Sequence, residues 1–228
     1  AKITPSRKKL CAEGPDSFAL ADTQPSQGIH DNSTPKTVVP KKDPFIDTVF
    51  ADRYKILAFL GKGGMGTVYK VENLIARRLC EEAKLANQPA KLINELEERC
   101  LRALKIMNAD CAADPSTVYR FETETEAICR VKNENVIQII DTGKTDDGRP
   151  WFTMPYLDGQ SLSQLLKERK KLPIAESLAI FIQICKGLDA AHSAGTIHRD
   201  IKPANLMILC GENLHEHKVI VVDFGIAK

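Results

Sequence analysis

The 228 residues include 43% hydrophobic side chains and carry a formal charge of only +2. That is enough apolar material for a packed core, and too little charge imbalance to favour nucleic acid or an anionic membrane as partner. No stretch approaches the ~18 apolar residues of a membrane span, the N-terminus lacks the basic-then-apolar layout of a secretory signal, and the seven cysteines are scattered with no C-x-x-C pair, which reads as reduced thiols in the cytoplasm.

Residues 1–44 are rich in Pro, Ser, Thr, Lys and Asp without apolar periodicity, so residues 1–49 are expected to form a disordered N-terminal extension. Tyr54–Leu60 and Thr67–Val71 then read as strands. Residues 74–101 turn helical, with apolar marks at Ile75, Leu79, Leu92, Leu96 and Cys100. A short strand is expected at Ala103–Met107. Asp114-Pro115 gives a helix start, with an acceptor at the cap and Pro in the first position, and that helix is expected to reach about Lys132. Strands at Val136–Asp141 and Pro150–Met154, helices at Ser161–Lys170 and Ile174–Ser193, and strands at Leu206–Leu209 and Val219–Val222 complete the pattern. Strands dominate first and helices later, as in a two-lobed α+β protein.

Between the first two strands lies Gly61-Lys62-Gly63-Gly64-Met65-Gly66. A Walker A loop would need Lys and Ser/Thr after Gly66, where Thr67-Val68 stands. A Rossmann turn would open a helix, yet Thr67–Val71 alternates like a strand. What remains is a glycine hairpin whose backbone N–H groups can approach phosphates with no Cβ in the way.

Further on stand His198-Arg199-Asp200-Ile201-Lys202-Pro203-Ala204-Asn205 and Asp223-Phe224-Gly225. The first pattern arises by chance in roughly one chain of this length per thousand, and its joint occurrence with the second, behind a glycine hairpin, is far rarer. Together they resemble the signatures of the protein kinases, and in particular the bacterial eukaryotic-like (Hanks-type) serine/threonine kinases, from about Phe50 to Lys228.

The resemblance implies a kinase domain over 50–228: a complete small lobe at 50–154 with an antiparallel sheet, a helix and a helical insertion at about 74–101, a hinge at 155–158, and a partial helical large lobe at 159–228. It implies transfer of the γ-phosphoryl group of Mg·ATP to Ser or Thr of a protein substrate. Asp200 would accept or orient the hydroxyl proton, Lys202 would offset charge on the transferring group, and Asn205 and Asp223 would offer oxygen ligands to Mg²⁺. Lys202 resembles the serine/threonine branch of the family.

Arg102-Ala103-Leu104-Lys105 matches the third-strand lysine pattern, in preference to Lys70, Lys84 and Lys91. Among Glu122, Glu124 and Glu126, only Glu124 falls within an apolar stripe of Phe121, Ile128 and Val131, so a Lys105–Glu124 pair is expected. Leu60, Val68, Ala103 and Met207 would sandwich the adenine, Met154 would stand as gatekeeper, and Pro155 and Leu157 would present hinge backbone to the base. Gly61, Gly63, Gly64 and Gly66 would cover the phosphates. After Gly225 come only Ile226-Ala227-Lys228, so the sequence is expected to be a fragment ending just past the metal aspartate, inactive by itself and exposing apolar surface. A nucleotide-binding pseudokinase or scaffold is the competing reading.

Overall fold

Two antiparallel sheets and six helices organise the described residues, which in this computed structural model are 43–209 and 217–224. The larger sheet contains β1 (Val49–Phe50), β2 (Tyr54–Lys62), β3 (Gly66–Asn73), β4 (Leu101–Met107), β5 (Asp141–Lys144) and β6 (Pro150–Pro155), in the order β1-β2-β3-β4-β6-β5. The smaller one pairs β7 (Gln160–Ser161), β8 (Leu206–Leu209) and β9 (Lys218–Val221) in sequence order. The helices are α1 (Leu74–Leu85), α2 (Ala90–Cys100), α3 (Ala109–Ala112), α4 (Pro115–Cys129), α5 (Leu162–Arg169) and α6 (Ile174–Ser193). The expected α+β arrangement is present, with strands and helices in the anticipated order.

Alternation along the strands gives the large sheet two apolar faces. Tyr54, Ile56, Tyr69, Val71, Leu104, Ile106 and Trp151 pack on one, joined by Phe45, Ile46 and Phe50. Residues 43–49, expected within a disordered extension, are therefore folded onto the sheet, because these side chains find an apolar surface there. Residues 1–42 lie outside the described residues. The opposite face carries Leu60, Val68, Ala103, Met107, Phe152 and Met154, which form one cluster with Met207, Ile220 and Val222 of the other lobe. An unbroken strand would put Ile56 and Leu60 on the same face. The register irregularity between Ile56 and Ala58 turns Leu60 to the opposite one.

The helical stretch at 74–101 is two helices rather than one excursion. Asn87 adopts φ +49 and Pro89 precedes α2, a combination that cannot continue α1. Asn73 caps α1 by accepting from the N–H groups of Ile75 and Ala76. The two helices close over Ala76, Cys80 and Cys100, and Lys84 bridges to Glu97 across them at 2.6 Å.

α4 starts as the sequence predicts. Asp114 accepts from Ser116 N–H with Pro115 in the first turn, and bonds from the Thr117 and Ser116 hydroxyls hold its carboxyl down at about 2. The helix ends at Cys129, short of Lys132. Val136–Asp141 is not a strand. Val136 makes a single bridge to Val221, and its chain crosses between lobes, with Val136 and Ile137 buried in different clusters. The ladder begins only at Asp141. In α6, Ile174, Leu178, Phe181 and Ile182 remain exposed. No helix among the described residues is long and apolar enough to cross a membrane.

Candidate active site

The glycine hairpin closes β2 onto β3, with Gly61 opposite Val68 and Lys62 opposite Thr67 and with Gly63 N–H donating to Gly66 O at 2.9 Å. Its glycines are not equivalent. A Cβ on Gly66 would stand 2.8 Å from the Ile106 carbonyl oxygen, while one on Gly64 would meet nothing within 4 Å. Gly66 thus permits the approach of the hairpin to β4.

Below the hairpin, Leu60, Val68, Ala103, Met154, Leu157 and Met207 are all buried in the cluster shared by the lobes. Met154 stands opposite Ala103 in the β4–β6 ladder, and Pro155 opposite Arg102. Lys70 Nζ sits over the Tyr156 ring at 4.3 Å, so this lysine faces the segment linking the lobes.

Lys105 projects from the centre of β4, and its Nζ donates to Asp223 Oδ1 at 2.6 Å. The expected Lys105–Glu124 pair is absent. Glu124 Oε1 lies 3.7 Å from Arg199 Nη1 instead, and Glu124 Oε2 is buried with no hydrogen-bond partner. The cause lies in the rotation of α4, whose buried residues are Phe121, Thr125 and Ile128. Thr125 takes the inward place because its hydroxyl donates to Phe121 O at 2.6 Å and is satisfied without leaving the core. Glu124 is left at the edge of the stripe, where burial pushes its carboxyl up against the opposing pull of Arg199 and Arg120.

The catalytic-loop sequence is held by buried polar contacts. His198 is buried, stacks on Phe224 with centroids 4.5 Å apart, and accepts from Asp200 N–H at Nδ1 (3.2 Å). That assigns the proton to Nε2, which donates to Val222 O at 3.0 Å. Burial lowers the imidazole pKa. Asp200 Oδ2 lies 2.9 Å from Lys202 Nζ, and Asn205 Nδ2 donates to Asp200 O (2.9 Å) and Oδ2 (3.2 Å). Val222 N–H donates to Asn205 O at 3.0 Å, which brings the catalytic loop alongside Asp223. Arg199 and Asp223 adopt φ of +60 and +52. Such conformations cost non-glycine residues of order 1–3 kcal/mol and cluster at functional sites. Gly225 lies outside the described residues.

Asn205 and Asp223 offer an amide and a carboxylate oxygen. This donor set fits Mg²⁺, which takes one or two carboxylates and completes its shell with water and substrate phosphates. Two contacts escaped sequence reading: the Arg199–Glu124 approach, which needs the rotation of α4, and the hydrogen bonds of Asn108 to the glycine hairpin. An Asn between a strand and a short helix signals only a helix cap.

A strand-rich lobe with α4 packed on its sheet and the α1–α2 insertion beside it, above a strained loop carrying Asp200 and Asn205, has the architecture of a protein kinase. The family model described as protein kinase domain matches residues 86–228, well over half of the chain, and the chain belongs to that family. It is 32% identical over 189 residues to the serine/threonine-protein kinase pkn3 of Myxococcus xanthus, covering 83% of this chain and 30% of the relative. It is 33% identical over 184 residues to a probable serine/threonine-protein kinase PknB of Corynebacterium glutamicum, covering 79% of this chain and 24% of the relative. The chain thus spans less than a third of the length of these relatives. Among solved structures, the kinase domain of Mycobacterium tuberculosis PknI aligns with a TM-score of 0.59 at 31% identity, covering 80% of this chain and 63% of that one.

Proposed function

We propose that the protein carrying this chain is an ATP-dependent serine/threonine protein kinase, acting in the cytoplasm, and that residues 50–228 belong to its catalytic domain. The observation that supports this most is the gathering of Lys105, Asp223, Asn205, Asp200 and Lys202 into one site between the sheet and the catalytic loop, by side-chain contacts and by the backbone bond of Val222 to Asn205.

In this reading Leu60, Val68, Ala103 and Met207 enclose the adenine, Met154 backs it, and the backbone of Pro155 and Leu157 addresses its edge. The hairpin glycines cover the phosphates. Asp223 and Asn205 would hold Mg²⁺, and Lys105, which donates to Asp223 here, would offer its charge to a phosphate oxygen. Bound Mg²⁺ supplies charge neutralisation on the phosphates. Asp200 is positioned by Asn205 and by His198 to receive the proton of the substrate hydroxyl. Lys202, already beside Asp200, offsets charge at the transferring group. Phosphoryl transfer depends chiefly on such positioning and charge stabilisation.

Free thiols at Cys80, Cys100, Cys111, Cys129 and Cys185 are compatible with a reducing compartment. Transfer of phosphate from radiolabelled Mg·ATP to Ser/Thr peptide libraries by the full-length protein tests the reading. Phosphoserine or phosphothreonine formation supports it; ATP turnover without either product contradicts it.

A further inference from the structure

We infer that Asn108 is a positioning residue for the nucleotide phosphates, acting as a latch on the tip of the glycine hairpin. The inference rests on the reading of Gly61–Gly66 as the phosphate-covering element. Asn108 stands at the N-cap of α3 with extended backbone, yet its side chain makes no capping bond. Asn73 and Asp114, at the corresponding places of α1 and α4, do cap their helices. The Asn108 amide is spent elsewhere.

Its Nδ2 donates to Gly63 O at 2.9 Å and to Gly64 O at 3.2 Å, while its Oδ1 accepts from Thr67 Oγ1 at 2.9 Å. Its backbone N–H donates to Met65 O at 2.8 Å, and Cys111 Sγ adds a weak bond to Gly64 O at 3.2 Å. Carbonyl oxygens only accept, so the amide orientation is fixed by its partners. Three successive carbonyls of the hairpin tip are thereby drawn to the Asn108 side. In a trans peptide the N–H points opposite to the preceding C=O. Fixing the carbonyls of Gly63, Gly64 and Met65 therefore turns the N–H groups of Gly64, Met65 and Gly66 the other way, as a concave row of donors suited to phosphate oxygens. A glycine-rich segment would otherwise have wide conformational freedom. The latch removes it before the nucleotide arrives.

The test is calorimetric titration of the full-length protein with Mg·ATP and, separately, with adenosine, which lacks the phosphates. Asn108→Ala is expected to raise the Kd for Mg·ATP about tenfold, the net worth of one or two hydrogen bonds, and to leave that for adenosine within about twofold. Thr67→Val, which removes only the bond to Oδ1, is expected to have a smaller ATP-selective effect, with no further loss when added to Asn108→Ala. Should Asn108→Ala not fold, Asn108→Asp keeps the acceptor and the size but loses the donors, and the same selective loss is expected. An unchanged Mg·ATP affinity, or equal weakening of both ligands, overturns the latch. Asp223→Asn separates the two levels: if it loses Mg·ATP and Asn108→Ala does not, the latch alone fails, and if neither does, the phosphate-site reading fails with it.

Discussion

Lys105 Nζ and Asp223 Oδ1 stand 2.6 Å apart across 118 positions of sequence, joining the central strand of one lobe to the second residue past β9 of the other. The ammonium side chain is 9% exposed and the carboxylate 21%. Charge-assisted hydrogen bonds of this kind contribute about 1.5–3 kcal/mol. Lys105→Met and Asp223→Asn should each lower unfolding stability by roughly that amount, and the double variant by clearly less than the sum. Denaturant unfolding measures this; strict additivity would show that the two groups do not support each other.

Lys70 offers the counter-test for strand register. Its Nζ lies over the Tyr156 ring at 4.3 Å, a half-buried cation–π contact of about 1 kcal/mol. Lys70→Met should change the KM for ATP by about threefold or less, whereas Lys105→Met should reduce kcat/KM by about two orders of magnitude or more. The reverse ranking in peptide phosphorylation by the full-length protein would displace Lys105 from the phosphates.

The fold was legible wherever local chemistry decides. Asp114-Pro115 announced α4, Gly61 to Gly66 announced a hairpin, and the limits of α6 and β8 were read correctly because apolar periodicity changes there. The misses are tertiary. Val136–Asp141 has the composition of a strand, yet its apolar residues serve two different clusters, and before Asp141 only Val136 finds a bridge partner. Glu124 fits an i, i+3, i+7 stripe from Phe121, but the i, i+4, i+7 stripe through Thr125 is the one that packs. A threonine whose hydroxyl bonds its own helix is as good a core residue as an apolar one, and hydropathy does not show that. The fold of residues 43–50 likewise depends on Tyr69, against Phe45, and on Trp151, against Phe50, both far along the chain.

The hairpin glycines separate packing from backbone freedom. Gly66→Ala would place a methyl 2.8 Å from the Ile106 carbonyl oxygen and should lower stability by about 1–3 kcal/mol, as overpacking does. Gly64→Ala opens into free space and should change stability by less than about 0.5 kcal/mol. Thermal unfolding of the two variants side by side checks the contrast; equal effects would mean that the hairpin does not approach β4 as closely as described.

His198 makes stability pH-dependent with a defined sign. Burial lowers its pKa below the unfolded value of 6.5, so the unfolded chain binds the proton more readily. The stability contributed by the neutral ring is fully present above about pH 6.5 and is lost as pH falls from there through the lowered folded-state value. Denaturant midpoints measured between pH 7.5 and 5 should fall for the wild type and fall less steeply for His198→Phe. An identical slope in both would remove His198 as the source.

The central claim is that Asp200 receives the proton of a substrate hydroxyl. In the full-length protein, Asp200→Asn keeps the size of the side chain and should retain Mg·ATP affinity within about threefold, while phosphoryl transfer to a Ser/Thr peptide falls by about 10²–10⁴, the range for losing a positioned base. Transfer at the wild-type rate by the folded, ATP-binding variant would contradict it.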